Sequence, residues 1–239
     1  MSRALVTGGS GTIGASIARA LAAAGHHVYV HAHGQADRAA EIAAGIMAEG
    51  GSAEVVRFDI TDAAETGQAL AQLLEAGPIQ ILVNNAGIHD DAVMPGMRQE
   101  QWARVIDVSL NGFFNVTQPL LLPMLRTRWG RIVNISSVAA VMGNRGQANY
   151  AAAKAGLHGA TRSLALELAS RGVTVNTVAP GIIASPATET IFPKETIAKL
   201  VPMQRAGEPE EVADLVAFLA SDRAAYISGQ LISINGGMA

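Results

Sequence analysis

The 239-residue sequence predicts an α/β fold in which a single doubly wound parallel sheet is flanked by helices. Short apolar runs alternate with alanine-rich segments of helical length along the whole chain. Most of these runs, such as residues 79–83, contain few polar residues, which is typical of strands covered on both faces. We expect strands at 3–7, 27–32, 54–58, 79–84, 130–136, 173–178 and 230–235, and helices at 12–24, 35–49, 63–76, 99–127, 149–170 and 208–220.

The composition indicates one globular domain and excludes several classes of function. Hydrophobic residues make up 49% of the chain and charged residues 15%, which is ample for one buried core. The formal net charge of −3 gives no reason to expect nucleic acid or an anionic membrane as a partner. Because there is no cysteine, disulfides and thiol chemistry are excluded. The sequence has no signal pattern and no apolar run of membrane-spanning length, so we expect a cytoplasmic protein. We expect no metal site.

A glycine-rich turn, TGGSGTIG at residues 7–14, joins the first predicted strand to the first predicted helix. Glycines there permit close approach of the backbone to a pyrophosphate, which the helix N-terminus attracts. The alternative is a merely tight turn. We interpret residues 1–239 as a single dinucleotide-binding catalytic domain of the Rossmann type. The candidate cofactor contacts in the turn are Gly8, Ser10, Gly11, Thr12, Ile13 and Gly14.

Two further stretches lie where predicted strands end, which is where such sheets bind ligands. The carboxylate of Asp59 can accept a hydrogen bond from an adenine amino group, or it can cap the following helix. The sequence NNAG at residues 84–87 lets a cofactor lie against the backbone, and its amides can tie neighbouring strands. A plain turn is the alternative there. The candidate contacts are Asp59, Ile60, Asn85, Ala86 and Gly87.

Tyr150 and Lys154 are four residues apart in a predicted helix, and Ser137 precedes the tyrosine by thirteen residues. This helical spacing places the phenol and the ammonium on one face. A free tyrosine has a pKa near ~10, and a nearby positive charge lowers it. Such a phenol can give a proton to a carbonyl oxygen or take one from an alcohol. By itself the pair also fits a surface tyrosine beside a solvated lysine.

The stretch at about 181–206 is the one long irregular segment that we expect. It follows a predicted strand and contains three prolines, at positions 186, 193 and 202. Because ligands lie beyond the carboxyl ends of strands in such folds, we interpret it as a substrate lid. An ordinary connection is the alternative, although connections of this length are uncommon.

The glycine-rich turn, NNAG at 84–87, Ser137, the Tyr150–Lys154 pair and the Pro-Gly pair at 180–181 resemble, in order and spacing, the motifs of the short-chain dehydrogenase/reductase family. The resemblance covers essentially the whole chain. It implies that Tyr150 is the general acid in reduction and that Ser137 hydrogen-bonds the substrate carbonyl. It also implies that Lys154 holds the nicotinamide ribose and lowers the pKa of the tyrosine. Further implied cofactor contacts are Asn85, Tyr150, Lys154, Pro180, Gly181, Ile183 and Ser185.

Residues 142–150 and 234–238 resemble the 3-oxoacyl-[acyl-carrier-protein] reductase branch of that family. The resemblance implies NADPH-dependent reduction of a 3-oxoacyl thioester that an acyl carrier protein holds. Some relatives act in aryl-polyene or polyketide-like pathways. One alternative is a dehydrogenase of a free small alcohol or sugar. Another is a non-catalytic nucleotide-binding sensor.

The chain departs from the family pattern in two places. Thr12 replaces the second glycine that the turn usually has. More importantly, the segment that usually reads Asn-Leu-x-Gly is Ser-Leu-Asn-Gly at 109–112. Ser109 therefore occupies the place of the fourth catalytic residue, an asparagine thought to hold a water for a proton relay. Asn111 lies on a different helix face and does not inherit the role.

The end of the second predicted strand indicates NADP(H) rather than NAD(H). NAD sites commonly place an acid there for the ribose 2′-hydroxyl, and none occurs before Asp37. The arginine that many NADPH-using relatives have in the turn is Gly11 in this chain. His31, His33 and Arg38 are the possible substitutes.

The resemblance also implies partners. Arg128 and Arg171 match positions that meet the acidic carrier protein, although both could simply cap helix ends. Family members usually form homotetramers through the long helices that match 99–127 and 149–170 and through the last strand. We therefore expect a homotetramer.

Overall fold

The computed structural model describes residues 1–239, apart from the side chains of Ala187 and Glu189. Seven parallel strands form one sheet in the order β3-β2-β1-β4-β5-β6-β7. All seven predicted strands are confirmed, with ends shifted by a few residues. The strands are β1 (Arg3–Val6), β2 (His27–Ala32), β3 (Ser52–Arg57), β4 (Ile81–Asn84), β5 (Gly130–Ile135), β6 (Val173–Pro180) and β7 (Leu231–Ile234).

The strand order reverses at β1, which determines where the functional site lies. Val6 of β1 pairs with Val30 of β2 on one side and with Val83 of β4 on the other. The chain leaves β1 and β4 in neighbouring positions at the carboxyl edge of the sheet. In doubly wound sheets this reversal creates a crevice between the connections that leave the two strands. The glycine-rich turn and the NNAG sequence therefore meet at its mouth.

The six predicted helices are confirmed, and the structure adds several short ones. The helices are α1 (Thr12–Ala23), α2 (Ala36–Ala48), α3 (Ala63–Glu75), α4 (Gln99–Ile106), α5 (Gly112–Thr127), α6 (Ala139–Met142), α7 (Ala148–Leu168), α8 (Pro186–Ile191), α9 (Lys194–Leu200) and α10 (Pro209–Leu219), with 3₁₀ turns at Met94–Gly96, Ala169–Arg171 and Asp222–Ala224.

Two expectations about these segments were incomplete. The predicted helix 99–127 contains a wide π-helical turn, Asp107–Asn111, which joins α4 to α5. The predicted irregular stretch at 181–206 contains the two short helices α8 and α9. The main-chain amide of Ala184 donates to the Gly207 carbonyl oxygen over 2.8 Å, so the two ends of this stretch are held together.

The core consists of two apolar layers, one on each face of the sheet. Because successive strand residues point to opposite faces, Ala4 and Val6 enter one layer and Leu5 the other. The first layer is completed by α1, α2 and α10, and the second by α3, α5 and α7. This covering of both faces explains why the strands are almost uniformly apolar. None of the helices in the described part of the chain has the length and apolar character needed to cross a bilayer.

Candidate active site

Ser137, Tyr150 and Lys154 lie together beyond the carboxyl end of β5. Ser137 follows that strand by two residues, and the other two residues lie in the first turns of α7. Tyr150 is 8% exposed and Lys154 is 2% exposed. The Lys154 Nζ lies 5.9 Å from the centroid of the Tyr150 ring. The structure thus brings together the three residues predicted from the sequence, and it buries the two that titrate.

Burial changes the acid strength of Tyr150 in the direction opposite to our expectation. Desolvation raises the pKa of Tyr150 to about 12. A hydrogen bond with Ser137 lowers the pKa, and the charge of Asp91 raises it, but both effects are smaller. Burial of the phenol is therefore the largest effect on its pKa, and the expectation that Lys154 lowers this pKa stays a prediction. Tyr150 is a protonated phenol at neutral pH.

Lys154 is held by the end of the neighbouring strand. Its Nζ donates to the carbonyl oxygen of Ile135, the last residue of β5, over 2.8 Å. Complete burial lowers the pKa of Lys154 to about 8, so its charge is lost only above neutral pH. A Cβ at position 87 would lie 3.0 Å from the same Nζ, so the glycine lets the backbone that follows β4 come close to the amine.

Ser109 lies in the π-helical turn and faces Lys154. It is 3% exposed, and its hydroxyl has no hydrogen-bond partner among the described residues. Both side chains lie beside Gly87. A Cβ at that position would lie 3.0 Å from the Lys154 Nζ and 3.6 Å from the Ser109 Oγ. Asn111 is exposed and bonds to Asp107, as its position on another face predicted. Wide turns of this kind are frequent at functional sites.

The glycine-rich turn has no room for side chains at its closest points. Gly8 has a φ of +60°, and a Cβ there would lie 3.0 Å from the Ala86 Cα. A Cβ at Gly14, inside α1, would lie 2.8 Å from the Asn85 Nδ2. Gly11 is the N-cap residue of α1, so the free amides of this helix point out of the turn. A backbone cradle at a helix N-terminus fits the pyrophosphate of a dinucleotide. The other predicted residues of the turn are Ser10, which is 7% exposed, Thr12 and Ile13, which begin α1.

The two asparagines of NNAG tie the site together, as one of the two interpretations predicted. The Asn85 amide donates to the carbonyl oxygens of Thr7 and Gly8 over 2.9 and 3.1 Å. The Thr7 hydroxyl in turn accepts the main-chain amide of Ala86 over 3.1 Å. Asn84 turns into the core and donates to Asn134 of β5 over 2.9 Å. These bonds fix the backbone at the crevice, and the contact of Asn85 with a cofactor stays a prediction.

His31 does not have the position expected of a cation for the cofactor 2′-phosphate. It is 2% exposed, and the amide of Gly8 donates to its Nδ1 over 3.1 Å. Its Nε2 lies 2.9 Å from the carbonyl oxygen of Phe58, to which it must donate. Burial lowers the pKa of His31 to about 4, so the ring is neutral. His31 therefore links the glycine-rich turn to the end of β3, while His33 and Arg38 are exposed.

Asp59 does not cap α3, although that was one interpretation. Asp62 is the cap, and its side chain accepts the amides of Ala64 and Glu65. Asp59 instead accepts the amide and the hydroxyl of Thr61 over 2.9 and 2.7 Å. Partial burial alone would raise its pKa, but these hydrogen bonds keep the pKa of Asp59 below its ordinary value. Its neighbour Ile60 is 6% exposed and belongs to the core.

The last predicted contacts lie at the base of the 181–206 segment. Pro180 ends β6, and a Cβ at Gly181 would lie 2.8 Å from the Asn235 Cα. Ile183 is 8% exposed and forms a bridge with Gly207. Ser185 caps α8, since its hydroxyl accepts the amide of Thr188 over 3.0 Å. A cavity of about 340 Å³ lies between this segment and β7, lined mainly by Ile183, Val201, Met203, Arg205, Ile234 and Asn235.

No sequence pattern indicated the role of the loop at residues 88–92, which we name the His89 loop. The His89 ring stacks on the Tyr150 ring, with centroids 4.1 Å apart. Asn149 is fully buried, and its amide donates to the main-chain oxygens of Asp90 and Gln101 over 2.9 and 3.1 Å. The position of Asn149 directly before the tyrosine was the only signal that could have suggested its role.

Arg128 and Arg171 lie at the opposite edge of the sheet from Tyr150. Each precedes a strand, β5 or β6, by two residues. Arg128 is the C-cap residue of α5, and its guanidinium donates to the Ser170 carbonyl oxygen over 3.3 Å. For Arg128 this supports the helix-end interpretation. The contact of Arg128 and Arg171 with a carrier protein stays a prediction.

A doubly wound sheet whose crevice adjoins a buried tyrosine–lysine pair is the arrangement of a dinucleotide-dependent oxidoreductase. A family model described as enoyl-(acyl carrier protein) reductase matches residues 8–239. A 3-oxoacyl-[acyl-carrier-protein] reductase from Synechocystis sp. is 49% identical over 98% of this chain and 96% of the relative. Reductases of the same name from Staphylococcus aureus and Aggregatibacter actinomycetemcomitans are 45% and 43% identical, over 98% of this chain and 97% and 98% of the relatives. The chain belongs to the short-chain dehydrogenase/reductase family, an oxidoreductase family that uses nicotinamide cofactors.

The buried position of His31 predicts a pH dependence of stability. An unfolded chain binds a proton at this residue below pH 6.5, whereas the folded protein does so only below about pH 4. The unfolded state therefore binds more protons between these values, and stability falls as the pH falls through this window, by up to about 3 kcal/mol. His31→Gln keeps an acceptor and a donor without titrating, so it should flatten the slope. Urea unfolding at several pH values measures this.

His33→Gln is the matched control, because the side chain of His33 is 64% exposed. We expect the control to keep the wild-type slope. An unchanged slope in His31→Gln would contradict the assignment of a neutral, buried imidazole.

Proposed function

We propose that this protein reduces 3-oxoacyl thioesters, held by an acyl carrier protein, to 3-hydroxyacyl thioesters with NADPH. The observation that carries the proposal is the buried Tyr150 phenol, protonated at neutral pH, with Ser137 and Lys154 beside it. A reductase needs such an acid where the carbonyl oxygen becomes an alcohol. The names of the relatives, all 43–49% identical, support the substrate class.

The three side chains have separate tasks. Ser137 donates a hydrogen bond to the substrate carbonyl oxygen and orients it toward Tyr150. Tyr150 gives its proton to that oxygen. Lys154 remains protonated below about pH 8, and its charge stabilises the phenolate that is left in the buried site. The bound nicotinamide supplies the hydride.

The cofactor would lie along the crevice between β1 and β4. The amides of the turn at residues 7–14 would hold its pyrophosphate, and Lys154 would hold a ribose hydroxyl. Gly87 leaves space beside that amine. The Asp59 Oδ1 accepts the hydrogen bond from Thr61, and the Asp59 Oδ2 lies 3.9 Å from the His33 Nε2. We propose that Asp59 contacts the adenine.

We propose that NADPH is preferred over NADH. The end of β2 carries no acid that would repel a 2′-phosphate. His31 is excluded as its partner because the ring is buried and neutral. His33 and Arg38, both exposed beyond the end of β2, are the cationic groups left among the predicted substitutes.

We propose that the segment at 181–206 is the substrate lid of a single catalytic domain. A main-chain hydrogen bond between Ala184 and Gly207 joins the two ends of the segment, and α8 and α9 lie between these ends. Exposed apolar side chains on it, Ile191, Leu200 and Met203, suit an acyl chain.

Limited proteolysis in this segment should slow when NADPH and a thioester substrate are added together.

A second candidate is reduction of an enoyl thioester, because the matched family model bears that description. The carbonyl reaction needs a proton donor and a hydrogen-bond donor at the carbonyl oxygen, which Tyr150 and Ser137 supply. Oxidation of a free alcohol would need a phenolate at working pH, and the raised pKa of Tyr150 disfavours it.

The expected cytoplasmic location stays a prediction that cell fractionation would test.

Steady-state assays with NADPH and NADH test the function directly. We expect rapid oxidation of NADPH with an acetoacetyl thioester, and slower reaction with crotonyl thioester, simple ketones or NADH. Tyr150→Phe should lower kcat on the order of 10²–10⁴-fold, because only the phenol oxygen can donate the proton. Cofactor binding should remain, as measured by NADPH fluorescence. Wild-type turnover in this variant would refute the role of Tyr150, and preference for crotonyl thioester would establish the second candidate.

Ser109→Asn should remain active, because the family usually has asparagine at this place. The hydroxyl of Ser109 has no hydrogen-bond partner within the described part of the chain and lies near Lys154, so the larger amide would gain a polar neighbour. Turnover and the melting temperature are the measurements. A folded, NADPH-binding variant without activity would show that the site of this chain depends on serine.

We propose that the protein is a homotetramer. Phe114 and Leu122 are 62% and 66% exposed on one face of α5, and Leu166 of α7 is 86% exposed. Tyr226, shortly before the last strand, is fully exposed. Exposed apolar side chains on these elements indicate a covered surface in the assembly. Light scattering should return about four times the 24.7 kDa chain mass, and Leu166→Glu should lower it. A monomer in the wild type would contradict this.

In such an assembly Arg128 and Arg171 could face the site of another copy. We propose this as the way in which they meet the carrier protein, since they lie far from the site of their own chain. Replacing both with glutamate should raise KM for a carrier-bound substrate and leave KM for the coenzyme A thioester unchanged. Equal changes in both would refute the contact.

A further inference from the structure

His89 is a titratable group that touches both the buried phenol and solvent. The centroids of its ring and the Tyr150 ring are 4.1 Å apart, and the planes are inclined by 32°. The side chain of His89 is 59% exposed, whereas Tyr150 is 8% exposed and Lys154 is 2% exposed. Ser137, the remaining partner of the phenol, has a hydroxyl that does not titrate near neutral pH.

The His89 loop is clamped against the start of α7, so the stacked geometry is built into the fold. Asn149 donates to the Asp90 carbonyl oxygen over 2.9 Å. The Gln147 amide donates to the Asp91 carboxylate over 2.8 Å, and the same nitrogen lies 3.3 Å from the His89 Nδ1. The loop therefore cannot carry the imidazole away from the phenol without breaking these bonds.

Three titratable groups face His89, namely Asp91, Lys154 and Tyr150. Burial is the largest effect and lowers the pKa of His89 below 6.5. The Asp91 carboxylate, 3.9 Å from the His89 Nδ1, favours the imidazolium, and the charge of Lys154 disfavours it. Such an imidazole can both take a proton from solvent and release it.

Each reduction in the proposed function leaves Tyr150 without its proton, and a buried phenolate must recover one before the next turnover. We propose that His89 is the group that returns this proton. Because the two rings are stacked, the proton passes through one water molecule: the imidazolium N–H bond breaks as the water takes that proton, and the phenol O–H bond re-forms with a proton from the same water. The neutral imidazole then takes a proton from solvent. This inference rests on the proposed function.

The competing route runs through Lys154 and Ser109. Ser109 is 3% exposed and cannot itself exchange protons at neutral pH. Beside it lies a cavity of only about 10 Å³, lined in part by Thr7 and Asn84. That volume is at the lower limit for one water molecule. The His89 route needs no such cavity, because the His89 side chain is itself 59% exposed to solvent.

Comparison of the first turnover with the steady state distinguishes the two routes. His89→Phe keeps a flat ring beside Tyr150 and removes the titratable group. In stopped-flow mixing with NADPH and acetoacetyl-coenzyme A, the first turnover should keep its wild-type rate, because Tyr150 is already protonated. The steady-state rate should fall on the order of 10²-fold. Added imidazole should restore part of it.

Two variants serve as comparisons. His27→Phe removes an imidazole that lies 4.7 Å from the Tyr29 ring, far from the site, and should leave both rates unchanged. Ser109→Ala interrupts the competing route. NADPH fluorescence checks that each variant binds the cofactor.

Wild-type steady-state turnover in His89→Phe would overturn the proposal. So would an equal loss in both phases that imidazole does not rescue, since His89 would then only orient Tyr150. A slow steady state confined to Ser109→Ala would assign the proton to the Lys154 route. If the wild type oxidised no NADPH in the first turnover, the proposed function itself would fail, and this inference with it.

Discussion

The site depends on one physical constraint, the removal of Tyr150 and Lys154 from water. The charged lysine loses hydration, so its pKa falls to about 8, and the neutral phenol is favoured, so its pKa rises to about 12. Among the described residues, the amine is compensated by one hydrogen bond, to the Ile135 carbonyl oxygen at 2.8 Å. This bond fixes α7 to the end of β5. The packing around the sheet therefore keeps the Tyr150 phenol and the Lys154 amine buried, although water would solvate their polar groups better.

The cofactor half of the site is built on a different principle. Here the backbone comes close because side chains are absent, at Gly8 and Gly14 in the turn and at Gly87 beyond β4. Asn85 and His31 hold the turn from its two sides, one through an amide and the other through a neutral imidazole. Fixed amide donors around a glycine-rich turn suit a phosphate, whereas the chemistry next to it needs groups that titrate.

The two halves meet where the chain differs from its family. By its resemblance to the family, the chain has Ser109 in the place of an asparagine, in a wide turn of the helix. Its buried hydroxyl has no hydrogen-bond partner among the described residues. The His89 ring stacks on Tyr150 and reaches solvent. The proposed proton chemistry of this site rests on these two residues, Ser109 and His89.

The sequence by itself determined the order of strands and helices along the chain, because the periodicity of apolar residues indicates which faces of each element are buried. It also placed Tyr150 and Lys154 on one face, because four residues make about one helical turn. Only the tertiary structure decided the direction of the pKa shift at Tyr150, the neutral state of His31 and the contact of His89 with the phenol. Desolvation and stacking depend on residues that are distant in the chain, and a local pattern carries no information about which of them become neighbours.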